Sequence, residues 1–311
     1  MKQLIKRSTC FLLFILSLLF ISDILFTHFV RPEGYTSSWD DLYNDNINSE
    51  IVIFGTSRAQ CHIVSNIVYD STLLTTYNLG SLNAHIETQL IRLKEHLKCC
   101  TIKPKHLLLE VCFFSIMKMD DIDYHTGFYW LWNNNFSHYS AVNTGTYNKL
   151  DYYCPMIRYS GNAINYISKW IKRDVSDTCF RGYYNPMGNW DSELYNRSVK
   201  RCRTFDIDTL RISYVKEFIK TCIDNKIDIN LIYTPENFLN KNCYTNKQEF
   251  LTIYKSIADS FKIGFKDFSN DSIPINTDTA YYHDTAHLTP EGAYKFTSEY
   301  FVPYIKELYG M

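Results

Sequence analysis

Two short runs carry residue types that could do nucleophilic chemistry together. The first is Ile51-Val52-Ile53-Phe54-Gly55-Thr56-Ser57-Arg58. Its four apolar residues read as a fully buried strand. Gly55 permits a sharp turn, and Ser57 follows where a helix should begin. A hydroxyl there stands at the end of a strand and against the positive end of a helix, where an α/β sheet exposes reactive groups. The second run is Asp284-Thr285-Ala286-His287. Its spacing of three lets one carboxylate reach one imidazole nitrogen and fix the tautomer. The other nitrogen is then free to take a serine proton.

Each run has a plainer reading. A serine after a strand-end glycine serves as a helix cap, and a histidine before a helix sits on the surface. A parallel sheet would bring both runs to one edge and favours the joint reading. His283 and His287 also form a His-x-x-x-His pair that a helix could offer to zinc. Thr289-Pro290-Glu291, however, has the pattern of a helix start, with a cap, a first-turn proline and an acid near the positive end. That starts the helix after His287, so no metal is expected. Glu110, at the end of another strand, reads as a carboxylate facing water, with a second acidic site as the alternative. Arg58 and Arg158 are candidates to bind an anionic substrate, with an exposed surface arginine as the plainer reading of Arg158.

Gly55-Thr56-Ser57-Arg58 and Asp284-Thr285-Ala286-His287-Leu288-Thr289-Pro290-Glu291-Gly292 resemble the first and last blocks of the SGNH (GDSL-like) hydrolase superfamily. Their order and separation fit as well. The resemblance implies a flavodoxin-like three-layer α/β/α sandwich with a parallel sheet and no cofactor. It implies Ser57 as nucleophile, His287 as base and Asp284 as its orienter. Ser57 and Gly80 would lend N–H groups to an oxyanion hole. The family's oxyanion asparagine, in a Gly-x-Asn after strand three, is replaced here by Glu110-Val111-Cys112. Asn83, Arg58 or an asparagine of a later insertion are the candidate substitutes. The activity implied is ester hydrolysis or acyl transfer on acylated envelope carbohydrate or a similar ester. The alternative is a non-catalytic tethered scaffold that binds glycan or protein on the same fold.

The elements that must position these residues alternate. Strands are expected at Ile51 to Phe54, about Thr75 to Leu79, His106 to Val111, Asp228 to Tyr233 and Gly264 to Phe268. Helices are expected from Ser57 to before Tyr69, Ala84 to Cys100, around Leu210 to Cys222, Phe250 to Phe261, and from Pro290 to about Leu308. Alternation of this kind implies a parallel sheet with helices on both faces. Between about 112 and 205 it stops. That stretch, with Tyr129-Trp130-Leu131-Trp132, reads as an insertion shaping the substrate site.

Ahead of this domain, Lys2, Lys6 and Arg7 precede an apolar run from Cys10 to Val30. About 20 residues suffice to cross a ~30 Å hydrocarbon core. The charge placement gives residues 1–9 a cytoplasmic location, 10–30 a signal anchor, 31–50 a tether, and 51–311 an extracytoplasmic domain. A cleaved signal peptide is the rival reading, but no small-x-small site follows the run.

The totals are compatible with this plan. The 311 residues suit one large α/β domain plus an anchor, and 46% hydrophobic residues supply its core. Lys+Arg 32 against Asp+Glu 33 leaves no basic excess for nucleic acid. The ten cysteines contain no Cys-x-x-Cys, which argues against a zinc site, and disulfides are open if the domain is exported. An aromatic share of 16% reads as core and surface tyrosine and phenylalanine, with stacking platforms for sugar rings as the sharper alternative.

Overall fold

A computed structural model of the chain describes residues 2–29, 38, 41–42, 45–82, 84–118 and 181–311. Helix α1, Lys2–Phe29, falls in a different compact unit from that formed by Ser37–Asp121 and Thr178–Met311. Within α1, Lys2–Ser22 is apolar enough and long enough to cross a membrane, and none of its window is buried. A membrane span and a signal sequence share that description.

The second unit is built on five strands: β1 (Ile51–Phe54), β2 (Thr76–Asn78), β3 (His106–Glu110), β4 (Asp228–Tyr233) and β5 (Phe265–Asp267). All neighbours are parallel, in the order β2-β1-β3-β4-β5. This is the flavodoxin-like order, whose switch point falls between β1 and β3. The register sets Phe54 beside Leu109 and Glu110 beside Ile232, so the C-terminal ends of β1, β3 and β4 share one rim.

Helices cover both faces. On one, α2 (Ser57–His62), α3 (Ser65–Thr72), α8 (Pro290–Phe296) and α9 (Val302–Tyr309) pack over Ile51, Ile53, Leu108 and Ile232. On the other, α4 (Ile86–Cys99) packs against α6 (Thr209–Asp224), and Phe218 of α6 meets the Phe54 ring edge-on at 5.3 Å. Alternate strand residues thus feed two separate cores, and these residues are almost completely buried. Each such aliphatic or aromatic side chain contributes about 1.5–3 kcal/mol. Two further helices, α5 (Ser192–Lys200) and α7 (Lys247–Phe261), also belong to the unit.

The expected helix from Ser57 to before Tyr69 is in fact two. His62 ends α2, and Ile63 and Val64 are extended before α3 resumes at Ser65. The break is stabilised from the far end of the chain. Thr297 Oγ1 accepts from Val64 N at 3.1 Å and donates to the His62 carbonyl at 3.1 Å. Of the expected insertion, the described part holds a single helical turn, Phe113–Ile116, and α5; the Tyr129–Trp132 run lies outside the described residues.

Candidate active site at the sheet rim

The turn after β1 is shaped by a buried carboxylate. Gly55 has φ +152°, and a Cβ there would lie 2.6 Å from Glu110 Cβ, so no larger residue fits. Thr56 is the N-cap of α2, its hydroxyl accepting from Arg58 N at 3.3 Å. Ser57 is therefore the first helical residue, half-buried, in the turn whose N–H groups have no intrahelical acceptor.

Asp284 builds the opposing loop. Its Oδ1 accepts from Ala286 N at 2.7 Å and His287 N at 2.8 Å, curling the chain back on itself. His283 N then donates to the His287 carbonyl at 2.9 Å, and Tyr282 bridges Leu288 antiparallel. Thr289 caps α8 through Gly292 N at 3.1 Å, with Pro290 at the first position. Gly292 has to be glycine, because a Cβ would meet the Tyr281 carbonyl at 2.2 Å.

These two turns meet. Ser57 Oγ lies 2.8 Å from His287 Nε2, and His287 Nδ1 lies 2.9 Å from Asp284 Oδ2. With its Nδ1–H donated to the carboxylate, the ring presents Nε2 as an acceptor for the serine hydroxyl. Burial raises the Asp284 carboxyl, but the imidazole and the two backbone N–H groups outweigh it and hold the group below the ordinary range. The carboxylate is thus ionised where it can orient the ring and stabilise a positive charge on it.

Other expected site residues have different employment. Arg58 is 2% exposed and points inward. Its guanidinium bonds Glu236 at 2.5 Å, Thr234 Oγ1 at 3.1 Å and the Thr234 carbonyl, and lies over the Tyr233 ring. The reading of Arg58 as a substrate or oxyanion ligand is therefore corrected: its donors are spent on the end of β4. Gly80 likewise offers no free N–H, since that group donates to Asn78 Oδ1 at 2.9 Å. Its lack of a side chain has a packing reason instead, because a Cβ would sit 2.4 Å from Gln60 N in α2. Glu110 does not face water but is 1% exposed. His283 binds the Asn189 carbonyl through Nδ1 at 2.9 Å. Asn83 and Arg158 lie outside the described residues.

Residues that sequence reasoning missed hold the loops together. His62, at the end of α2, accepts from Leu288 N at 3.1 Å through Nε2, with its ring edge-on to His287 at 6.4 Å. Burial, then the Arg58 cation and the neighbouring His287 imidazole, hold His62 well below its usual range. Asn185 Nδ2 donates to the carbonyls of Cys61 at 2.8 Å and Leu288 at 3.1 Å. Neither residue has a local sequence signal, because each is defined by partners more than a hundred positions away. Glu236 had one: it stands three residues past the end of β4, at the same rim. Beside the Asp284–Ala286 loop opens a cleft of about 350 Å³, walled by Phe113, Tyr195, Phe205 and Tyr244 with Arg201 and Arg203.

The parallel strand order is what the resemblance implies. The fold is a flavodoxin-like parallel α/β sandwich. Among solved structures, the chain is similar to a GDSL-like lipase from Bacteroides thetaiotaomicron, at 12% identity and a TM-score of 0.41, covering 88% of this chain and 99% of that one. It is similar to the lipase/acylhydrolase from Enterococcus faecalis, at 12% identity and a TM-score of 0.43, covering 83% and 95%. It is also similar to the psychrotrophic esterase EstA from Pseudoalteromonas sp., at 11% identity and a TM-score of 0.40, covering 83% and 97%. One family model, which carries no functional description, matches residues 195–308. No match is found among curated protein sequences.

Proposed function

We propose that this chain is a membrane-anchored serine esterase or acyltransferase acting on acylated envelope glycan or a similar ester. The observation that carries the reading is the unbroken hydrogen-bonded series from Ser57 Oγ through the His287 ring to Asp284. In this mechanism Ser57 Oγ attacks the ester carbonyl while His287 Nε2 takes its proton. The tetrahedral oxyanion faces the first turn of α2, where the Ser57 N–H is a donor. His287 returns the proton to the leaving alcohol, and an acyl group remains on Ser57. Water, or a sugar hydroxyl in a transferase, attacks next with His287 again as base.

Residues 10–30 serve as the anchor and 31–50 as the tether, with the domain from 51 onward outside the cytoplasm. The basic residues Lys2, Lys6 and Arg7 ahead of the apolar run support that orientation. The aromatic cleft beside Asp284 supports a carbohydrate leaving group, since flat rings stack on sugars.

A fluorophosphonate probe tests the reading. Wild type is expected to be labelled covalently and Ser57→Ala not at all; an unlabelled wild type, or equal labelling of both, overturns it. A second reading, a tethered scaffold without catalysis, is favoured by one observation: the Gly80 N–H is already bonded to Asn78. Glycan binding that survives loss of Ser57 and His287, with no turnover, would favour that reading.

A further inference from the structure

The two neighbours of Ser57 are each held by a buried carboxylate at or just past the end of a different strand. On one side, Glu110 at the end of β3 takes Thr56 twice: Oε2 accepts from Thr56 N at 2.9 Å and from Thr56 Oγ1 at 2.8 Å. On the other side, Glu236 beyond the end of β4 takes Arg58, with Oε1 2.5 Å from the guanidinium. Neither carboxylate is more than 1% exposed. Burying a carboxylate is costly unless it is paired and bonded, so two of them beneath one turn call for a reason.

The two are not equivalent. Glu236 also receives Lys247 at 3.1 Å and the hydroxyls of Tyr233 at 2.7 Å and Tyr244 at 3.3 Å. Burial raises it, yet Arg58 and Lys247 win and hold it far below the carboxylate range. Glu110 has only a distant cation, Arg58 Nε at 3.7 Å, and burial keeps it above that range. Its strongest partners are therefore the two donors of Thr56. Gly55 belongs to the same device, because its missing side chain leaves the space that the Glu110 side chain fills.

We propose that Glu110 and Glu236 are positioning residues that clamp Thr56 and Arg58 on either side of Ser57 and so fix the direction of its hydroxyl toward His287. Glu110 acts through the N-cap: it turns the Thr56 hydroxyl so that its lone pair faces Arg58 N and closes the first turn of α2. Glu236 acts through Arg58, tying that turn to the end of β4. Neither carboxylate touches the acyl group or transfers a proton.

The inference rests on Ser57 being the nucleophile, and the test separates the two claims. The full chain in detergent is assayed with p-nitrophenyl acetate and with the fluorophosphonate probe. Glu110→Leu, which has no acceptor, is expected to lose at least tenfold in kcat and in labelling rate with KM within twofold of wild type. Glu110→Gln keeps an acceptor for Thr56 and is expected to recover most of that loss. Glu236→Gln, with its charge removed, is expected to fall in kcat in the same way. Thermal melting reports whether each variant folds. If Glu110→Leu does not fold, Thr56→Val decides, since it keeps the N–H arm to Glu110 but removes the hydroxyl through which Glu110 acts on Arg58 N, and it is expected to lose about threefold or more in kcat.

A folded Glu110→Leu or Thr56→Val protein that labels at the wild-type rate overturns the clamp while leaving Ser57 as nucleophile. Equal losses in Glu110→Gln and Glu110→Leu, accompanied by a raised KM, overturn it too, since general loosening of the site behaves that way. A wild type that takes no label overturns the underlying reading instead.

Discussion

Ser57 Oγ and His287 Nε2 stand 2.8 Å apart although 230 positions separate them in the chain. The contact is held from below and from behind. The parallel register brings the ends of β1, β3 and β4 to one rim, and His62 ties the end of α2 to Leu288, next to the imidazole. The serine and the histidine are thus coupled through one six-residue helix, with Ser57 at its start and His62 at its end.

Asp284→Asn isolates the charge of the orienting group. Asparagine keeps an acceptor for the Ala286 and His287 N–H groups, so the loop should persist. It cannot stabilise the imidazolium and can present the wrong tautomer partner, which costs on the order of 10⁴ in kcat in serine hydrolases of this design. Steady-state turnover of p-nitrophenyl acetate, alongside an unchanged melting temperature, checks this. Wild-type kcat in the variant would remove Asp284 from the mechanism.

The glycines give a stability test with an internal control. Gly80→Ala forces a Cβ to within 2.4 Å of Gln60 N, and Gly55→Ala forces one to 2.6 Å from Glu110 Cβ at a positive φ. Overpacking of this kind costs about 1–3 kcal/mol. Gly188→Ala meets nothing within 4 Å and should be nearly neutral. Urea unfolding of the three variants measures the contrast. Equal midpoints would show that α2 does not lie as close to β2 and β3 as described.

Stability should fall in mild acid because histidines are buried neutral. His62, His85 and His96 are at most 2% exposed. Burial, the largest cause in each, pushes His85 down to about 3 and His96 to about 4, and holds His62 well below its usual value. The unfolded chain binds these protons near pH 6.5 and the folded one does not, so stability is full above 6.5 and lost as pH drops below it. Each histidine contributes a slope of about 1.4 kcal/mol per pH unit. Glu87 and Glu110, raised by burial, act with the opposite sign above about pH 4.5, so the slope is best read as a difference. Urea unfolding between pH 6 and 5 should be less pH-dependent by that amount in His96→Leu. Parallel slopes would mean His96 is charged in the folded protein.

Much of this arrangement was legible in the residues themselves. Ile51 to Phe54 followed by glycine is a local pattern, and its bounds as a strand are those observed. The Thr289-Pro290 helix start is equally local, and both of its devices are in place. What could not be read depends on distant partners. The α2–α3 break needs Thr297, and nothing in Ile63-Val64 announces it. Arg58 reads as a ligand because a cation beside a serine usually meets solvent. Only the fold reveals Glu236 and Thr234 waiting beneath it. Glu110 misleads for a related reason: a strand-end carboxylate is expected in water unless donors such as Thr56 N and Oγ1 are supplied.

The central claim is that His287 activates Ser57 for attack. Fluorophosphonate labelling of wild type, Ser57→Ala and His287→Ala, followed by peptide mass mapping, tests it directly. The expected result is a single adduct on Ser57 in wild type, none in Ser57→Ala, and labelling slowed by on the order of a thousandfold or more in His287→Ala. An adduct on another residue, or His287→Ala labelling as fast as wild type, would contradict it.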